Sequence, residues 1–116
     1  LPLGIASSSS RRVVDENLHH AALADYFSTL TGGDEIEKGK PEPDIYLKTA
    51  AALGVKPEAV LAFEDSEAGI RAASAATMRV VAVPDLKRPP EEILGLAALV
   101  CSTLEEALPR LEDLLR

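Results

Sequence analysis

The run Val60-Leu61-Ala62-Phe63 ends in two adjacent carboxylates, Glu64-Asp65, and Ser66 follows where a helix cap would stand. Four apolar residues in succession make a buried strand, and Ser66 suits the start of a helix through about Ala76. Arg79-Val80-Val81-Ala82-Val83 is a second buried-looking strand after that helix. Leu3-Gly4-Ile5-Ala6 is a similar run that enters a polar loop, Ser7 to Ser10. A brief extended segment around Ser28 to Thr31 and a weak strand around Leu99 to Cys101 complete the set. Strands alternating with helices at this spacing predict an α/β fold, a parallel sheet with helices on its faces. In such sheets ligands gather at the C-terminal strand ends, which here carry Ser7 and Glu64-Asp65.

The helices have their own signals. Val14, Leu18, Ala21 and Ala22 recur at helical spacing after the serines and leave Asp15, Glu16 and His19 outward. Gly32-Gly33 punctuates the chain. Pro43 suits the first turn of a helix carrying Ile45, Leu47, Ala50, Ala51 and Leu53 to a stop at Gly54. Pro84 to Pro90 reads as a turn or linker. Thr103 with Glu106 resembles a capping box, and Leu104, Ala107, Leu108, Leu111 and Leu115 mark the apolar face of a last helix that Pro109 should kink.

A chain of 116 residues suits one core, so residues 1–116 are read as a single domain portion. A net charge of −7 makes nucleic acid an unfavourable partner, although local positive charge can still hold a small phosphate ester. The longest uncharged stretch, Ile93 to Leu104, is far short of the roughly 18 apolar residues of a membrane span, and no secretory signal is visible. Cys101, the only cysteine, excludes an internal disulfide and reads as a core filler, which fits a reducing, cytoplasmic compartment. His19 and His20 point about 100° apart on a helix and read as surface residues.

Three places can carry chemistry. Ser7, between a strand and a helix, offers a hydroxyl and neighbouring N–H groups to a phosphate oxygen; alternatively Ser7 to Ser10 simply end a strand and cap a helix. Lys40, before Pro41, presents a compact ammonium able to neutralise a phosphate, or is an ordinary solvated loop lysine. Glu64 and Asp65 repel each other unless a cation or proton relieves them. Magnesium, which takes one or two protein carboxylates with waters and a phosphate, would do so; an acidic helix N-terminus is the plainer reading.

Read in order, Gly4-Ile5-Ala6-Ser7, then Gly39-Lys40-Pro41-Glu42-Pro43-Asp44-Ile45-Tyr46, then Leu61-Ala62-Phe63-Glu64-Asp65-Ser66 with Ala68-Gly69-Ile70 form a known series. The chain resembles the haloacid dehalogenase superfamily, and within it the β-phosphoglucomutase-type phosphatases, over almost its whole length. The resemblance implies a Rossmann-like core. It implies that Ser7 binds the transferring phosphoryl group, with Ser8 and Ser9 as secondary phosphate-loop residues. Lys40 would steady the charge of phosphate and nucleophile, and Asp65 would ligate Mg2+ with Glu64 beside or behind it. The Glu-Asp pair favours phosphoryl transfer over metal-free dehalogenation.

In that family a first-strand aspartate attacks phosphorus and a second, two positions on, acts as general acid and base. Neither has a counterpart here, nor does the helical cap; both would lie upstream of Leu1. The expected sheet is therefore incomplete at its centre, between the strands ending at Ser7 and Asp65. The chain is expected to be a fragment, inactive and unstable or swapped alone, completed by its missing N-terminal segment or a complementing chain. The complete protein is expected to be a Mg-dependent phosphatase of a small phosphorylated metabolite. A phosphosugar mutase and a non-catalytic binding or interaction module are the alternatives.

Overall fold

A computed structural model describes residues 1–116, with element order β1 (Gly4–Ala6), α1 (Arg11–His20), β2 (Thr29–Thr31), α2 (Asp44–Leu53), β3 (Leu61–Glu64), α3 (Glu67–Ala75), β4 (Arg79–Ala82), α4 (Glu91–Leu94), β5 (Leu99–Val100) and α5 (Leu111–Leu114). Short 3₁₀ turns lie between several of them. Every strand pairing is parallel, as the alternation of strands and helices predicts. The strands form two ladders: β1 pairs with β2, and β3-β4-β5 pair in that order. No backbone ladder joins β1 to β3.

The larger core lies where α2, α3 and α4 cover the strands. Ile45, Tyr46 and Ala50 from α2, Ile70, Ala72 and Ala73 from α3, Val80 and Ala82 from β4 and Ile93 and Leu94 from α4 pack there. Val81, Cys101, Ala107 and Leu114 form a smaller core on the opposite face, so β4 is covered on both sides and its continuous apolar run is explained. Burial also raises the Cys101 thiol pKa, consistent with a core filler.

Local chemistry sets the boundaries. Ser66 caps α3 by accepting the Gly69 N–H at 3.1 Å, and Ser10 caps α1 by accepting the Val13 N–H at 3.3 Å. Pro43 stands just before α2 as its cap residue, and Gly54 ends it at φ 74, a left-handed stop. A buried hydroxyl pair, Thr49 with Thr31 at 2.9 Å, fastens α2 to β2.

Several expected faces differ. In α2 the buried stripe is Ile45, Tyr46, Thr49 and Ala50, whereas Leu47 and Ala51 are exposed; counting apolar residues missed an aromatic and a threonine that satisfy their hydroxyls internally. Helix α1 stops at His20, with Ala22 in a left-handed turn at φ 58, and none of its residues is fully buried. Short helix α4 follows the proline-rich linker, where no helix was expected. Near the C-terminus a 3₁₀ segment, Leu104–Arg110, precedes α5, because Pro109 lacks the N–H that an α-helix needs there. Ala107 and Leu114 face the core, while Leu104, Leu108 and Leu115 are exposed. Thr103 makes no side-chain cap; Glu106 instead reaches back to the Ser102 N–H at 3.1 Å. No helix is long and apolar enough to cross a membrane.

Candidate active site

The C-terminal ends of β1 and β3 meet through one lysine. Lys40, in the loop between β2 and α2, donates from Nζ to Glu64 Oε1 at 2.6 Å and to the Ala6 carbonyl at 3.3 Å. Ala6 immediately precedes Ser7, and Glu64 immediately precedes Asp65. A single ammonium thus gathers the three segments that the sequence marked separately. The Lys40 side chain is 12% exposed and that of Glu64 is 7% exposed, so this is a largely desolvated ion pair, which persists only when its geometry is well satisfied.

Tyr46 supplies much of that satisfaction. Its hydroxyl donates to the same Glu64 Oε1, and its ring centroid lies 5.1 Å from Lys40 Nζ, within cation–π reach. Burial first, then the neighbouring Glu64 charge, pushes the Tyr46 phenol far above its ordinary range, so it remains a donor at any ordinary pH.

The acidic pair is split by the strand's alternation. Glu64, the last residue of β3, turns inward and lies so close to the start of α3 that a Cβ on Gly69 would stand 1.9 Å from its Oε2. Asp65, the next residue, is exposed and makes no ion pair or side-chain hydrogen bond within the chain. The two carboxylates therefore differ: one is anchored to protein donors and one is open. An open carboxylate at a strand end suits magnesium, which keeps several waters and takes few protein ligands. No group of three or more His, Cys, Asp or Glu side chains converges anywhere in the chain, so the donors here amount to part of a site; His19 and His20 are exposed and belong to none.

The serine loop is shaped from outside. Ser7 N–H donates to the Thr31 carbonyl at 3.0 Å, extending the β1–β2 ladder, and Ser9 N–H turns back to Ser7 Oγ at 3.1 Å. Gly33 N–H donates to the Ser9 carbonyl at 2.7 Å, and a Cβ on Gly33 would lie 2.2 Å from the Ser8 carbonyl oxygen. Asp34 Oδ1 accepts the Arg11 N–H at 2.9 Å, and Glu35 accepts both the Gly32 N–H and Arg11 Nη1. The Gly32 N–H is the largest influence holding the Glu35 carboxyl below its usual pKa, with Arg11 and Lys48 assisting. These contacts leave the Ser8 and Ser10 N–H groups without an acceptor in the chain, and the Ser7 hydroxyl free to donate. The arrangement offers an anion several donors beside a positive helix start.

Sequence reasoning singled out Ser7, Lys40, Glu64 and Asp65, and the three segments that carry them come together here. It gave no role in the site to Tyr46, which it quoted only within a motif, to Gly33, which it read as punctuation, or to Asp34 or Glu35. Gly69 entered only through the resemblance, although a glycine inside a helix, where it is unfavourable, is itself a sign of close approach.

A model of the haloacid dehalogenase-like hydrolase family matches residues 1–83. The chain is 35% identical to the phosphorylated carbohydrates phosphatase of Thermotoga maritima over 116 residues, 99% of this chain and 54% of that protein. Among solved structures it is similar to CbbY from Rhodobacter sphaeroides in complex with phosphate (TM-score 0.83, 30% identity, 92% of this chain and 48% of that one). It is also similar to β-phosphoglucomutase from Clostridium difficile (TM-score 0.77, 27% identity, 97% and 50%). The chain spans from less than a tenth to about half of the length of the curated relatives it matches.

Proposed function

The chain belongs to the haloacid dehalogenase-like hydrolases, and from that premise we propose that it is the C-terminal core portion of a magnesium-dependent phosphatase acting on a small phosphorylated metabolite, a sugar phosphate above all. The observation that carries this reading is Lys40, bound at once to the carbonyl before Ser7 and to the carboxylate before Asp65. That contact gives a phosphate group a cation, hydroxyl and amide donors, and an open carboxylate on one rim of parallel strands.

In this reading Ser7 and the amides of its loop bind the transferring phosphoryl group, with Ser8 and Ser9 as further donors. Lys40 offsets the charge gathered by phosphate and nucleophile. Asp65 would hold Mg2+, and Glu64 stands behind it, holding Lys40. The metal would supply charge neutralisation at the phosphoryl oxygens. The nucleophilic aspartate, which would carry the phosphoryl group as an aspartyl phosphate, and the general acid two residues beyond it belong to a segment upstream of Leu1, with a helical cap.

The absence of a ladder between β1 and β3 supports a strand from that segment lying in the gap, and so does Phe63, 41% exposed in the middle of β3. Backbone groups on such inner edges need a partner. The chain without that strand, or without a second chain supplying one, is then inactive.

The test uses the complete protein, including whatever precedes Leu1. Turnover of p-nitrophenyl phosphate and of a panel of sugar phosphates is measured with Mg2+ and with chelator, for the native protein and Asp65→Asn. Mg-dependent turnover that Asp65→Asn abolishes is expected. Turnover indifferent to both metal and Asp65, or none on any phosphate ester, overturns the proposal.

A further inference from the structure

Lys40 Nζ carries three hydrogens, and two have acceptors within the protein: Glu64 Oε1 and the Ala6 carbonyl. The ring of Tyr46 faces the same ammonium at 5.1 Å. One N–H therefore remains for a ligand, and its direction depends on where the other two are pinned. The Ala6 carbonyl is fixed by the β1–β2 ladder. Glu64 Oε1 is the movable partner, because a glutamate carboxylate can swing about its last torsions.

Two things limit that swing. The close approach of Gly69 leaves Oε2 no space on the α3 side, and the Tyr46 hydroxyl donates to Oε1 itself. Tyr46 is anchored in turn: it is 7% exposed in α2, between Ile45 and the Thr49–Thr31 pair that ties this helix to β2. Its hydroxyl has no other partner in the chain. The hydrogen bond thus spans from the β2-anchored helix to the end of β3, across the gap between the two ladders.

We infer that Tyr46 is a positioning residue for phosphoryl transfer: by donating to Glu64 Oε1 it fixes the carboxylate that aims the remaining N–H of Lys40 at the phosphate. The inference rests on the function proposed above. Phenylalanine at 46 keeps the ring beside the ammonium and removes only the hydroxyl. The carboxylate then holds Lys40 without its second anchor, and the ammonium follows it. An aiming defect of this kind affects charge that develops during transfer more than initial binding, so kcat falls and KM moves little.

The test is steady-state turnover of p-nitrophenyl phosphate by the complete protein as Tyr46→Phe, Glu64→Gln and the double variant, each rate referred to the folded fraction read by far-UV circular dichroism. Tyr46→Phe should lower kcat roughly tenfold to a hundredfold, the loss expected from one hydrogen bond to a charged group, and leave KM within about threefold. Because Tyr46 acts through the charge of Glu64, adding Tyr46→Phe to Glu64→Gln should cost less than about threefold more. An unchanged kcat in Tyr46→Phe overturns the inference. So does a double variant at the product of the two single losses or below detection. A Tyr46→Phe protein that does not fold also overturns it, since the hydroxyl would then be holding the core and not the lysine. Failure of the underlying phosphatase reading is distinguished by the native protein, which would then turn over no phosphate ester at all.

Discussion

Replacing Gly69 by alanine sets two effects of opposite sign against each other. In an ordinary helix the change is favourable by at most about 1 kcal/mol, because glycine has more backbone freedom to lose. Here the added Cβ would lie 1.9 Å from Glu64 Oε2, 2.1 Å from Cδ and 2.5 Å from Oε1. Comfortable contacts are roughly 3.5 Å, so the carboxylate must retreat by more than about an ångström. It is the end of a flexible side chain, but one held by Lys40 at 2.6 Å and by the Tyr46 hydroxyl in a site 7% exposed. Disturbing hydrogen bonds to a buried charge costs about 2–4 kcal/mol. The net expectation is destabilisation by about 1–3 kcal/mol, a fall in the urea midpoint on the order of 1 M for a domain of this size. Equilibrium urea unfolding of Gly69→Ala and the parent measures it. The same substitution in a Glu64→Ala background should be neutral or stabilising, since nothing then obstructs the methyl group. A higher midpoint for Gly69→Ala in the native background would refute the close approach and with it the inward placement of Glu64.

Gly33→Ala drives a methyl group against the Ser8 carbonyl, a backbone atom that can yield only by reshaping the loop; phosphate binding should weaken, read as a higher KM or inhibition constant for inorganic phosphate, with Lys40 and Asp65 untouched. Glu35 titrates below its ordinary value of 4.5 in the folded state, so the unfolded chain takes the proton more readily. The stability this confers is present above pH 4.5 and is lost as pH falls through the lower folded value, and the thermal midpoint of Glu35→Gln should decline less over that acid range than that of the parent.

The strands and the polar segments that end them were legible because each is a local pattern: an apolar run, a polar stop, a cap. Ser66 and Gly54 do in the structure what their positions predict. The burial of α2 was read less well, since Tyr46 and Thr49 are polar by type and buried only because Glu64 and Thr31, 18 residues away in each case, accept or share their hydroxyls. The C-terminal segment failed for another reason. Its leucines follow an α-helical period, but the 3₁₀ geometry forced near Pro109 rotates that register and exposes Leu104 and Leu108. Of the acidic pair, the sequence places both at a strand end; which one faces inward depends on the pleat phase of a four-residue strand, and although Gly69 marks a close approach, the sequence does not say which carboxylate makes it.

Each ladder is parallel, and the ends that carry Ser7 and Asp65 lie on the rim where Lys40 sits. The opposite rim consists of connections such as Gly54 to Val60 and Ala76 to Met78, and the polar residues there, Glu58 and Thr77 among them, bond to one another at 3.3 Å instead of to any part of the site. The molecule thus has one rim whose segments Lys40 gathers and an opposite rim that takes no part in those contacts. Length, labels or a surface attachment added at Lys56 or Glu58 alter the protein's outline away from the contacts of Lys40, which makes that rim the natural handle for immobilising or reporting on this chain.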